Sequence, residues 1–462
     1  VWHRVPDVNY FSGKAIDVGQ IGPDLARRTA ACHDGRPRET GASVSAATHP
    51  NTPAHRPPHP VVYTILYLPF GALGGFISVA LTFLGTRHGL SISESAFLNG
   101  ASMMMNWLKW IWAPLVDTTL TPKRWYTIAT VGSAVGIAAM SAIPLSQETL
   151  PLLIGVIIVA SLINTMVGMS IEAMMAQVTP PDQIGRVSAW FQAGNLGGAG
   201  VGGGLGLLLL EHLPAPWMTG AIFGVAFLLC CLALRALPDL RHDASAHGTG
   251  PAAAMRQVFV DLKGMIGTQG GLLSAILCFL PIGTGAAQGV LTQAEVAAHW
   301  GAGETEVALI QGMAAGVINA IGCFMGGWLC IRYTPRAVYA AMGLSLALAA
   351  AGMALGPAIP ETYIVGNVIY SLGVGLSYAA FTAVVLDAIG AGSAATKYTL
   401  YATLSNFPIW WVGLLLAFVA ESHGGEGMLH AEAGLGVIGI ALFLLATVAV
   451  KRSKLPLHAA QA

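Results

Sequence analysis

Thr121-Pro-Lys-Arg-Trp-Tyr126 and Thr334-Pro-Arg-Ala-Val-Tyr339 share a Thr-Pro opening, a basic residue and a closing tyrosine, 213 residues apart. Each lies between two long apolar stretches. The correspondence continues outward. Arg186 and Asn195 recur as Lys397 and Asn406 at an offset of 211, each pair opening an apolar stretch, and Glu172 and Asp387 both lie near the end of the stretch before it. One such match is chance; three in order at nearly one offset read as a duplication.

The stretches around these motifs are long. A helix needs about 20 mostly apolar residues to cross a hydrocarbon layer of roughly 30 Å, and twelve segments qualify: 61–84, 96–116, 125–144, 151–174, 186–210, 217–236, 270–291, 305–330, 336–356, 361–385, 396–420 and 433–450. Composition agrees. Of 462 residues, 55% are hydrophobic and 10% charged, against about 25% charged in a soluble domain. Beyond residue 60 the charged share falls to 32 of 402, too few to cover a water-facing surface. The predicted fold is therefore an all-α membrane protein, twelve transmembrane helices in two pseudo-symmetric six-helix bundles, 61–237 and 270–452.

The basic residues orient the spans. With both termini in the cytoplasm, thirteen Lys/Arg fall in cytoplasmic connections and only Arg87 in the opposite ones, the bias that sets topology. The connection 238–269 is polar at first. It then becomes amphipathic from Met255 to Ile266, with Val258, Phe259, Leu262 and Met265 at helical spacing, and reads as a cytoplasmic linker with an interfacial helix. Residues 1–60 have no apolar periodicity and are rich in Pro, His and charge, so a disordered tail is expected. They contain no apolar core of a signal peptide. An over-extended start or a cloning remnant accounts for them as well as a functional tail does. A short cytoplasmic tail, 453–462, closes the chain.

Several functions are disfavoured. Zero net charge gives no general basic surface for nucleic acid. Six cysteines without a CxxC pair or a Cys/His cluster suggest neither metal nor disulfide framework. The glycine run 194–206 lacks a preceding strand and a P-loop lysine, so it reads as close helix packing and not as a phosphate cradle. No nucleophile–base pair argues for an enzyme, and no cofactor is expected.

Leu108-Lys-Trp-Ile-Trp-Ala-Pro-Leu-Val-Asp117, followed by Lys123-Arg124-Trp125, resembles the second-span signature of a family within the major facilitator superfamily, the AmpG-type muropeptide permeases and acetyl-CoA transporters. Glu172-Ala-Met-Met-Ala, Gly185-Arg-Val-Ser-Ala-Trp-Phe-Gln-Ala-Gly-Asn195 and Phe279-Leu-Pro-Ile-Gly-Thr-Gly285 are similar to segments of its bacterial members. Ala113 stands where the superfamily signature has glycine. Gly194-x3-Gly198-Ala-Gly-Val-Gly-Gly203 is similar to the fifth-span motif of facilitator antiporters, with Ala199 in place of its proline. The resemblance spans roughly 61–452. It implies a monomeric secondary active permease of a bacterial inner membrane, surrounded by lipid. Such a permease moves a small organic solute by alternating access of two halves about a midplane site, with proton symport. The alternative is a non-transporting sensor or assembly factor on the same fold.

Candidate residues follow. Asp117 is expected to latch the halves by meeting Lys397 and the positive start of span eleven, helped by Arg124. Glu172 and Asp387 are candidates for proton coupling, since a carboxyl group in a dry place cycles its charge readily. The opposing reading pairs them structurally with Arg332, Arg336 or Arg124 at the cytoplasmic rim. Arg186 opens span five and joins the gate set. Lys109 is the one cation well inside a span; it should face an anionic solute group or a carboxylate, or reach back to the interface. Asn106, Trp190, Gln192, Asn195, Gln288, Tyr378, Tyr401, Asn406 and Trp410 are polar or aromatic positions within spans that line a solute path or hold helices together.

Overall fold

The computed structural model describes residues 58–90, 92–239, 251–389, 394–453 and 455–456. The expected disorder up to residue 57, the polar half of the linker (240–250) and the last six residues of the expected C-terminal tail lie outside the described residues. All the described secondary structure is helical.

Nine helices among the described residues are long and apolar enough to cross a membrane. The difference from twelve has local causes. Ala394–Arg452 is two spans joined at Gly424, whose φ of +70° is open to glycine and strained for other residues. Span two is broken. Helix Ile92–Leu108 passes into a single 3₁₀ turn, Lys109–Ile111, before helix Ala113–Thr118. Pro114 lacks the N–H that would bond one turn back, and its ring clashes there. Span seven is also broken. Helix Gln269–Phe279 stops before Pro281, glycines 283 and 285 take positive φ, and a short helix resumes at Ala287–Leu291. With these breaks recognised, the helices are consistent with twelve passages.

The duplication is visible as bonding. Thr121 and Thr334 are both extended, each followed by proline at the first helical position, where its missing N–H costs nothing. The closing tyrosines do the same work in each half. Tyr126 donates its hydroxyl to the Leu66 carbonyl of span one (2.6 Å), and Tyr339 donates to the Ile282 carbonyl of span seven (3.0 Å).

Large apolar side chains face outward, among them Val135, Phe418 and Leu445, which are 65–68% exposed. Water would penalise such a surface, whereas lipid is its natural solvent. The halves meet closely where span five runs along span eight. A Cβ on Gly200 would lie 2.6 Å from the Cα of Gly316, so only glycine permits this backbone contact. Widened π turns interrupt span one (Phe76–Leu81), span five (Val201–Leu205) and span eight (Ile310–Ala314). Between the two halves runs helix Pro251–Ile266. Met265 is buried, Leu262 packs against the core and Phe259 is exposed.

Candidate functional site

The break in span two creates the site. Trp110 and Ile111 point outward, 49% and 56% exposed, while Lys109, one residue earlier, is 2% exposed. The tight turn rotates it into the N-terminal half, and Trp112 fixes the break by donating its Nε1–H to Thr165 Oγ1 of span four (2.9 Å). Lys109 Nζ then reaches Glu172 Oε1 at 3.0 Å and Oε2 at 3.3 Å, with both side chains almost fully buried. Burying a single ion in hydrocarbon costs about 2.5–3.5 kcal/mol on insertion scales. Each of these two charges is therefore the condition for the other.

Tyr67 of span one lies against the pair, its hydroxyl 3.4 Å from Glu172 Oε1. Its ring is stacked between Phe70 (4.8 Å between centroids) and Phe191 (3.9 Å). Phe191 meets Tyr398 of span eleven edge-on, and the Tyr398 hydroxyl lies 3.3 Å from Thr382 Oγ1 of span ten. Gln192 donates to that same Thr382 oxygen (2.7 Å), and Asn195 donates to Gln192 (3.0 Å). A continuous string of polar and aromatic groups thus runs from the Lys109–Glu172 pair across the seam between the halves.

At the basic end the halves are tied by Asp117. Its carboxylate accepts the backbone N–H groups of Ala395 (3.2 Å) and Thr396 (2.7 Å) and the Thr396 hydroxyl (2.6 Å). These are the unsatisfied donors that open a helix, and they attract an anion. Lys397, the next residue, is buried. Arg124 is exposed. Midway along, Trp107 of span two meets Phe407 and Trp410 of span eleven, and Phe407 stacks on Phe279 of span seven. Asn406 donates to the Asn106 carbonyl (3.4 Å) beside them.

Other expected residues lie apart from this string. Glu172 is buried, and its ion-pair partner is Lys109. Asp387 is at the rim and 43% exposed, its Oδ2 3.9 Å from Arg336, which also donates to the Gly270 carbonyl. Arg332 stacks over Trp328, and Arg186 approaches His59 (3.4 Å). Trp190 is wedged between His59 and Phe324. Gln288 bonds Ser371 (3.0 Å) and Tyr401 the Gly271 carbonyl (3.0 Å), both inside the C-terminal half. Tyr378 packs half-buried against that half's apolar core. Sequence reasoning passed over Tyr67, Thr382, Tyr398 and Trp107. Their only signal was a polar edge or aromatic ring within apolar runs, shared with many packing residues.

The family model of the Major Facilitator Superfamily matches residues 63–412. The chain belongs to that superfamily. This facilitator is an integral, multi-pass membrane protein and a secondary transporter. Its fold is similar to that of the E. coli fucose:proton symporter FucP, with 14% identity, a TM-score of 0.60, and coverage of 83% of this chain and 97% of that one. The proton:xylose symporter XylE, bound to 6-bromo-6-deoxy-D-glucose, gives 14% identity and a TM-score of 0.61 over 83% and 95% of the chains. The human organic anion transporter MFSD10 gives 17% and 0.57 over 83% and 98%. At these identities the likeness concerns the fold alone.

Proposed function

We propose that this facilitator carries a small organic anion across a bacterial inner membrane together with a proton, by alternating access of its two halves and with both termini in the cytoplasm. The observation that carries the reading is the dry Lys109–Glu172 pair. A proton arriving on Glu172 cancels its charge and leaves the Lys109 ammonium without a counter-ion. A carboxylate or phosphate of the solute then supplies the missing charge, so proton and anion enter together. Without the proton, Glu172 occupies Lys109 and the solute is excluded. The aromatic group around Trp107, Phe407 and Trp410 offers apolar faces for the rest of the solute. The second-span resemblance to AmpG-type permeases points to muropeptide-like molecules, and the names of the fold-mates include two proton symporters and one organic anion transporter.

The test begins with thermal-shift screening of the detergent-purified protein against muropeptides, acetyl-CoA, siderophores and peptides, since a ligand favouring the folded state raises its melting temperature. Uptake of the best ligand into proteoliposomes follows, with and without an inward proton gradient. Gradient-driven uptake is expected, with Lys109→Met abolishing binding of the anionic ligand but not of a neutral analogue. Uptake indifferent to the gradient refutes proton coupling. No uptake of any stabilising ligand favours a sensor on this fold.

A further inference from the structure

Among the described residues two glutamates are buried inside spans and bonded to a tyrosine. Glu172 faces Tyr67 in the N-terminal half. In the C-terminal half Glu432 of span twelve, 6% exposed, accepts a hydrogen bond from the Tyr370 hydroxyl of span ten. The two differ in how their charge is met. Glu172 has the Lys109 ammonium. Glu432 has no cation, and its Oε2 has no hydrogen-bond partner among the described residues. Glu432 lines a small cavity, with room for about one water-sized species, against the broken stretch of span seven at Pro281, Gly283 and Thr284. The backbone there is unwound, with Gly283 and Gly285 at positive φ. Among the described residues Tyr370 is its one titratable hydrogen-bond partner; the Ala287 backbone N–H at the start of the resumed helix also faces the carboxylate, and Leu346 of span nine, Val412 of span eleven and Leu435 of span twelve complete the surroundings without charge.

A buried carboxylate without a counter-ion is not sustainable in a medium of low dielectric constant, and the group neutralises instead. We propose that Glu432 is neutralised by a proton, and that this cavity is the proton-binding site of the C-terminal half. Protonation balances simply: Oε2 gains a hydrogen and becomes a donor toward the cavity, while Oε1 keeps the Tyr370 bond. Glu432 lies eight residues past Gly424, about 12 Å from the non-basic end, and Glu172 six residues before Val178, about 9 Å from the basic end. The two carboxyl groups thus approach opposite faces of the membrane. The role of this proton in coupled transport rests on the reading given above; its presence does not.

Infrared difference spectroscopy of the purified full-length protein reads the proton directly. The wild type is expected to show the carbonyl stretch of a protonated carboxylic acid at neutral pH. Glu432→Gln should lose that band, while Glu172→Gln and Asp387→Asn keep it. Tyr370→Phe, which retains the carboxyl group should Glu432→Gln fail to fold, is expected to move the band to higher frequency by removing one hydrogen bond. A band unchanged in both Glu432→Gln and Tyr370→Phe, or absent from the wild type, overturns the assignment. So does a band that vanishes when choline is replaced by Na⁺ at constant pH, which makes the occupant a sodium ion. Failed uptake with the band intact refutes the transport reading alone.

Discussion

Replacing Lys109 by methionine keeps most of the side-chain volume and removes the ammonium that lies 3.0 Å from Glu172. The carboxylate is then 1% exposed and left with the long Tyr67 contact alone. Removing one partner of a buried pair costs about 3–5 kcal/mol, because the remaining charge is uncompensated. Replacing both partners with neutral groups of similar size is often harmless or stabilising. The expected pattern is therefore strongly non-additive. Lys109→Met and Glu172→Gln should each lose about 3–5 kcal/mol, while the double variant falls within about 1 kcal/mol of the wild type or above it. Reversible denaturation in mixed micelles measures all four corners of the cycle. Single losses below about 1 kcal/mol, the range of an exposed pair, or losses that simply add, would show that water reaches the pair and would remove the basis for the exchange of Glu172 for a solute anion.

Asp117→Asn weakens three bonds to the start of span eleven, two of them charge-assisted backbone contacts worth about 1.5–3 kcal/mol each at most; thiol labelling of a cysteine placed near Thr396 should accelerate, and an unchanged rate means the latch is elsewhere. Gly200→Leu places a side chain where Gly316 Cα stands at 2.6 Å, so a lower melting temperature is expected, with Gly200→Ala intermediate; equal melting temperatures for all three proteins would contradict the close seam. Asp387→Asn removes a half-exposed contact at 3.9 Å and should cost less than about 1 kcal/mol without moving the pH profile of uptake; a displaced profile would make Asp387 a coupling group after all.

The repeated Thr-Pro…Tyr motif was legible because both copies answer the same local demands. Proline suits the first turn of a helix, and a buried tyrosine needs an acceptor, which Leu66 and Ile282 supply. Lys109 announced a need for an anion. It did not say which anion. For Glu172 the sequence suggested Arg332, Arg336 or Arg124 and not Lys109, because partners 63 residues apart are chosen by helix rotation and depth. Glu432 went unnoticed for a related reason. It stands just before the apolar stretch first drawn for span twelve, where a carboxylate reads as a solvated boundary charge. Only the turn at Gly424 places it inside the protein.

By itself the sequence determined the solvent and the architecture. Apolar run length, basic-residue bias and duplication are summed over many residues, so no single uncertain neighbour changes the result. The tertiary structure alone decided which charges are dry and what meets them. Lys109 faces Glu172, Asp117 caps a helix start, and Glu432 faces a cavity beside a broken span. Such pairings depend on a fraction of a helical turn and a few ångströms of distance, and those are set by packing between segments far apart in the chain.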